Sequence, residues 1–121
     1  MTTPQMTKAQ ISTAYQDFRA IPLDNLLKPS PEAMQQLAKA RKAELAGKDL
    51  NRVGVGLTLL VKLAHNTSEA EFGEALTTGQ LPAMKLSAEE MELARGGVWV
   101  TVGLIACAVA GGIVGYFSRP S

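Results

Sequence analysis

The stretch Asp49-Leu50-Asn51-Arg52-Val53-Gly54-Val55-Gly56-Leu57-Thr58-Leu59-Leu60-Val61-Lys62-Leu63-Ala64 decides the fold. Apolar residues alternate around Val53 and become nearly continuous from Leu57. On pattern alone both a buried helix and a buried strand fit. The flanking sequence favours helix, because each neighbouring segment carries helix punctuation and no partner strand is evident.

On the amino-terminal side, Thr7-Lys8-Ala9-Gln10 has the form of a capping box opening a helix to about Ala20, with Ile11, Tyr15 and Phe18 at helical spacing. Pro22 ends it. Leu23 to Lys28 is ambiguous, at most one turn. Ser30 as N-cap and Pro31 at the first helical position start a second helix, which is expected to run to about Ala46 and stop at Gly47. Met34, Leu37, Ala38 and Leu45 suit its apolar face. On the other side, Ser68-Glu69-Ala70-Glu71 is another capping box, opening a short helix to about Thr77, and Thr78 to Pro82 is a break. Val53-Gly54-Val55-Gly56 lacks the Lys-Ser/Thr and the strand context of a phosphate loop. His65 reads as a surface or helix-end histidine. The fold class expected is all-α: a small, marginally stable helical domain over residues 7–78, a capped helix over 86–95, a flexible Gly-Gly junction and a carboxy-terminal apolar helix, in part disordered when free.

Charge is unevenly placed along the 121 residues. Residues 1–97 hold eleven basic and eleven acidic side chains, whereas 98–121 hold Arg119 alone. The 46% hydrophobic composition therefore averages two unlike parts. A net charge of +1 argues against a general nucleic-acid binder. One cysteine, Cys107, and one histidine are too few for an internal disulfide, a metal centre or a hydrolytic triad, so no cofactor, metal or enzymatic activity is expected. The start of the chain has no basic segment followed by an apolar run, so no standard secretory signal is expected.

Val98 to Phe117 is a run of twenty residues without a charge. As a helix it would span about 30 Å, the hydrocarbon thickness of a bilayer. Trp99 lies at one end and Tyr116 and Phe117 at the other, where aromatic side chains meet membrane interfaces. Arg95 and Arg119 bracket it. Ala108, Gly111, Gly112 and Gly115 provide small residues at i, i+4 spacing for helix contacts in lipid. The β-branched residues Val98, Val100, Thr101 and Val102 would favour strand aggregation in water.

Between the two parts stands Leu86-Ser87-Ala88-Glu89-Glu90-Met91-Glu92-Leu93-Ala94-Arg95-Gly96-Gly97. Ser87 is an N-cap and Glu90 closes a capping box. Ala83, Leu86, Met91 and Ala94 are expected on one apolar face, with the glutamates solvated apart from the capping role of Glu90. Gly96-Gly97 leaves a thin backbone that a narrow protease cleft admits. This segment resembles the double-glycine leader of bacteriocins and related ribosomally synthesised, modified peptides (RiPPs). The matches are Leu86, Ser87, Glu90, Met91, Gly96 and Gly97. Ala94 departs from the pattern, which has a larger aliphatic residue there, so one contact with the processing enzyme is weakened.

The resemblance implies a precursor whose residues 1–97 are a leader. The leader helix would dock on the cysteine-protease domain of an ABC exporter, which would cut after Gly97 and secrete Val98–Ser121. The precursor would be cytoplasmic and the released core would act at membranes, with Trp99, Gly111, Gly115, Tyr116 and Phe117 in contact with lipid. So long a leader also implies a handle for tailoring enzymes; Thr101, Cys107, Ser118 and Ser121 are the chemically eligible core residues, although the plainer reading of Cys107 is a small apolar residue. The alternative is a tail-anchored membrane protein: a cytosolic helical interaction domain on a permanent anchor at Val98–Phe117.

Overall fold

A computed structural model describes residues 7–24, residues 26–95 and Trp99. Among these residues there are six helices and no strand. They are α1 (Lys8–Arg19), α2 (Pro31–Ala40), α3 (Lys42–Leu45), α4 (Leu50–Asn66), α5 (Glu69–Thr78) and α6 (Ala88–Arg95). The all-α expectation holds. The Gly-Gly junction and, apart from Trp99, the carboxy-terminal apolar segment lie outside the described residues, as do the candidate residues Gly96, Gly97, Thr101, Cys107, Gly111, Gly115, Tyr116, Phe117, Ser118 and Ser121.

The stretch that alternates around Val53 is helical throughout and forms α4. Asp49 caps it by accepting hydrogen bonds from the backbone N–H groups of Asn51 and Arg52. Eleven of its 17 residues are buried, which explains the lack of a clean helical stripe: neighbours cover it on several sides. α1, α2, α5 and α6 all pack against it, and α1 also packs on α5. The core contains Phe18, Leu57, Leu60, Leu63 and Phe72, all fully buried. Phe72 meets Tyr15 edge-on at 5.5 Å between ring centroids, and the Tyr15 hydroxyl donates to the Thr67 carbonyl at 2.8 Å. Gly54 lies within α4 rather than in a phosphate loop. A Cβ there would stand 3.6 Å from Met34 Sδ, so α2 crosses close by.

The capping boxes form as the sequence dictates. Thr7 exchanges bonds with Gln10, and Ser68 with Glu71. Ser30 caps α2 with Pro31 behind it. The left-handed glycine Gly79 (φ 78°) ends α5.

One helix is divided where a single helix was expected. α2 stops at Ala40, because Arg41 leaves helical space (φ −123°, ψ 53°), and α3 adds only one further turn before Gly47 (φ 73°). Ala40-Arg41-Lys42-Ala43 contains only good helix formers, so propensity gives no stop there. The bend belongs to tertiary packing and brings Leu45 into the core with Met34 and Leu37.

Candidate functional site

The segment that resembles a processing signal is α6, and its setting is built from α4 outward. The Ser87 hydroxyl accepts the Glu90 N–H at 3.2 Å, and the Glu90 carboxylate accepts the Ser87 N–H at 2.8 Å, which completes the box expected from sequence. The same carboxylate does more than cap. Glu90 is 2% exposed, which corrects its expected place on a solvated face. Its Oε1 accepts from Lys62 Nζ at 2.6 Å and its Oε2 from the Thr58 hydroxyl at 2.7 Å. Lys62 and Thr58 lie one turn apart on α4, so this side chain fastens the first turn of α6 to the middle of the central helix.

The electrostatics follow from those bonds. Burial pushes the Glu90 carboxyl up, but the Lys62 bond, the Ser87 N–H, the Thr58 hydroxyl and the Lys62 charge together outweigh it. They hold the group below the ordinary glutamate value. Thr58 has a single hydroxyl hydrogen and two acceptors at 2.7 Å, Glu90 Oε2 and the Val55 carbonyl, so the two compete for it. Neighbouring Glu89 is exposed and pairs with Lys28 at 3.0 Å, while Lys28 also donates to Asn51 at 2.9 Å. Lys28, Pro29, Val55, Thr58, Ser87 and Glu90 are among the residues lining an open groove of about 460 Å³ between α4, the start of α6 and the chain before α2.

The inward face of α6 differs from the one expected. Leu93 is buried in the core, and Leu86 and Ala94 are half-buried against it. Met91, placed by sequence on the apolar face, is 48% exposed, and Ala83 is exposed as well. The stripe that meets α4 is therefore Leu86, Glu90, Leu93 and Ala94, at i, i+4, i+7 and i+8. A charged residue in the middle of the stripe hid it. Of the proposed recognition residues, the fold brings Leu86, Glu90 and Ala94 together, leaves Ser87 exposed as the cap and turns Met91 outward.

From its place at the edge of the apolar run, Trp99 is expected at a lipid interface. In the intact chain it is 2% exposed, within the same core as Leu93, and its indole N–H donates to the Gly79 carbonyl at 3.2 Å. Contact with lipid therefore requires Trp99 to leave this pocket.

Sequence reasoning missed Lys62, Thr58 and Leu93. The available signal was Lys62, a charge between Val61 and Leu63 in the most apolar helix, which calls for a carboxylate partner. His65 sits near the carboxy end of α4, as expected, with Nε2 2.7 Å from the Ile21 carbonyl; a neutral ring therefore carries its proton on Nε2. Among the described residues no three His, Cys, Asp or Glu side chains converge as a metal site, and no helix is long and apolar enough to cross a membrane. Both Glu90 oxygens accept hydrogen bonds, Oε1 from Lys62 and the Ser87 N–H and Oε2 from the Thr58 hydroxyl, an arrangement suited to anchoring a helix. Compared with family models, curated proteins and solved structures, the chain matches none.

Proposed function

We propose that this chain is the precursor of a membrane-active, antibacterial peptide, cut after Gly97 to release residues 98–121. The observation that carries the reading is the placement of α6. It is a capped helix that ends at Arg95, directly before Gly96-Gly97, and the sequence then becomes a charge-free apolar run. A peptidase-containing ABC exporter would meet Met91 on the exposed side of this helix, would reach Leu86, Glu90 and Ala94 only with α6 lifted from α4, and would pass the two glycines through its cleft. Helices α1 to α5 would serve as the body by which tailoring enzymes hold the precursor.

The released core would act by inserting into a target membrane. Its new amino terminus and Arg119 would attract anionic lipid, and the small residues Gly111 and Gly115 would let helices associate closely. Gly97→Phe tests the cleavage. A phenylalanine fills the space that the thin backbone leaves free, so uncleaved precursor accumulates in the producing cell. An unchanged chain in the membrane fraction, before and after the substitution, would instead support a tail-anchored protein.

A further inference from the structure

Charge is sorted along α4. At its start, residues 39–52 hold five basic side chains, Lys39, Arg41, Lys42, Lys48 and Arg52, against two acidic ones, Glu44 and Asp49. This stretch takes in the end of α2, the single turn of α3 and the first turn of α4, so the chain gathers these charges at one end of the bundle. At the other end of α4, about 25 Å away, α5 begins with exposed Glu69, Glu71 and Glu74. Residues 69–92 hold six acids and one base, Lys85. A net charge of +1 conceals this separation.

Folding does not call for the whole of the basic end. Lys39 suits the carboxy end of α2, and Glu69 and Glu71 suit the amino end of α5. Arg52, by contrast, stands in the first turn of α4 and Lys48 just before its cap, where a helix dipole repels cations. Asp49 offsets Arg52 in part, at 3.8 Å. Lys39, Lys42 and Lys48 are exposed and pair with no carboxylate among the described residues. The surface between them has no apolar centre: Leu45 is buried, Leu50 is half-buried, and the exposed large apolar side chains Leu23, Leu27 and Met91 lie in other segments. Protein–protein interfaces have an apolar or aromatic centre and few lysines. Flexible ammonium groups around no such centre fit a field of lipid phosphates, which asks for charge and no fixed geometry.

We propose that the basic end of the helical body, with Lys39, Lys42, Lys48 and Arg52, docks on a membrane surface rich in anionic lipid, and that the acidic start of α5 is held away from it. The contact is peripheral and electrostatic, and it orients the body as well as holding it. It goes beyond the cleavage reading and does not depend on it. The same surface would serve a precursor awaiting export or a tail-anchored protein.

The test floats full-length chains with vesicles of phosphatidylcholine alone, and of phosphatidylcholine and phosphatidylglycerol in equal parts. The carboxy-terminal sequence is the same in every variant, so its own affinity for lipid is common to all. Lys42→Gln with Lys48→Gln should weaken binding to the mixed vesicles about tenfold, since each lysine close to an anionic surface contributes up to about fivefold. Binding to phosphatidylcholine alone should not change. Lys8→Gln with Lys85→Gln removes the same charge from exposed positions outside this end, and should weaken binding to the mixed vesicles by less than about twofold. Exposed Lys→Gln exchanges keep helix propensity, so both double variants should retain the wild-type circular dichroism. Added salt should erase the difference between the two variants as the screening length shrinks. Equal losses from the two variants would overturn the proposal, because net charge and not this surface would then set the affinity. So would wild-type affinity of the Lys42, Lys48 variant for the mixed vesicles. Capture on polyglutamate of the wild type but not of that variant, with no preference of either for mixed vesicles, would assign this end to an acidic protein and overturn the lipid assignment. Cutting after Gly97 enters none of these readouts, so a failure here is distinct from a failure of the cleavage reading.

Discussion

Removing the amine of Lys62 leaves the Glu90 carboxylate buried without a cation, and the cost follows from the surroundings. Breaking a fully buried ion pair from one side costs about 3–5 kcal/mol. Here Glu90 is 2% exposed but the Lys62 side chain is 26% exposed, so water screens part of the interaction. The Ser87 N–H and the Thr58 hydroxyl also remain. Lys62→Met should therefore cost about 2 kcal/mol. Glu90→Gln should cost less, about 1 kcal/mol, because the amide oxygen still accepts from Lys62 and Ser87. Its NH₂ can then donate to Thr58 Oγ, which frees the Thr58 hydroxyl hydrogen for the Val55 carbonyl. The double variant has no buried charge to strand, so it should be no worse than Lys62→Met alone. Urea unfolding of the four proteins, followed by circular dichroism, gives the cycle. Additive costs, with the double variant near 3 kcal/mol, would refute the view that Lys62 matters because it neutralises Glu90.

Other outcomes follow from the same packing. Phe72→Ala removes a fully buried ring that touches both Tyr15 and Phe18, and should cost about 3–5 kcal/mol in chemical denaturation, enough to unfold a domain of this size. Ser68→Ala deletes one half of the α5 capping box and should cost about 1 kcal/mol by the same assay. Acid should weaken the domain in a defined window. The folded Glu90 value lies below the unfolded one, so its contribution is full above the ordinary glutamate range and is lost as pH falls through the depressed value. Glu90→Gln should flatten that part of the stability profile, and an identical acid limb in wild type and variant would rule out Glu90 as its source.

The sequence made some elements plain because their information is local. Thr7 with Gln10, Ser68 with Glu71 and Ser87 with Glu90 each declare a helix start within four residues, and all three boxes form. α4 was harder, because a helix buried on several sides loses its period. Its identity came from its neighbours rather than from its own pattern. The break at Arg41 carries no local mark, since nothing in Ala40 to Ala43 opposes a helix, and only the packing of Leu45 reveals it. The face of α6 was misjudged for a related reason. Hydrophobic counting selects Met91 and passes over Glu90, yet Glu90 points inward because Lys62 and Thr58 wait for it 28 and 32 residues earlier in the chain. Trp99 shows the same limit. An aromatic residue at the edge of an apolar run looks alike whether it meets lipid or the Gly79 carbonyl.

The central claim is that the chain is cut after Gly97, and intact mass spectrometry of material secreted by the producing cell tests it most directly. The account predicts a peptide that begins at Val98. Its mass would also report any change at Thr101, Cys107, Ser118 or Ser121, since each dehydration removes one water. Finding only the full-length chain, retained in the membrane fraction, would contradict the claim and make residues 98–117 a permanent anchor.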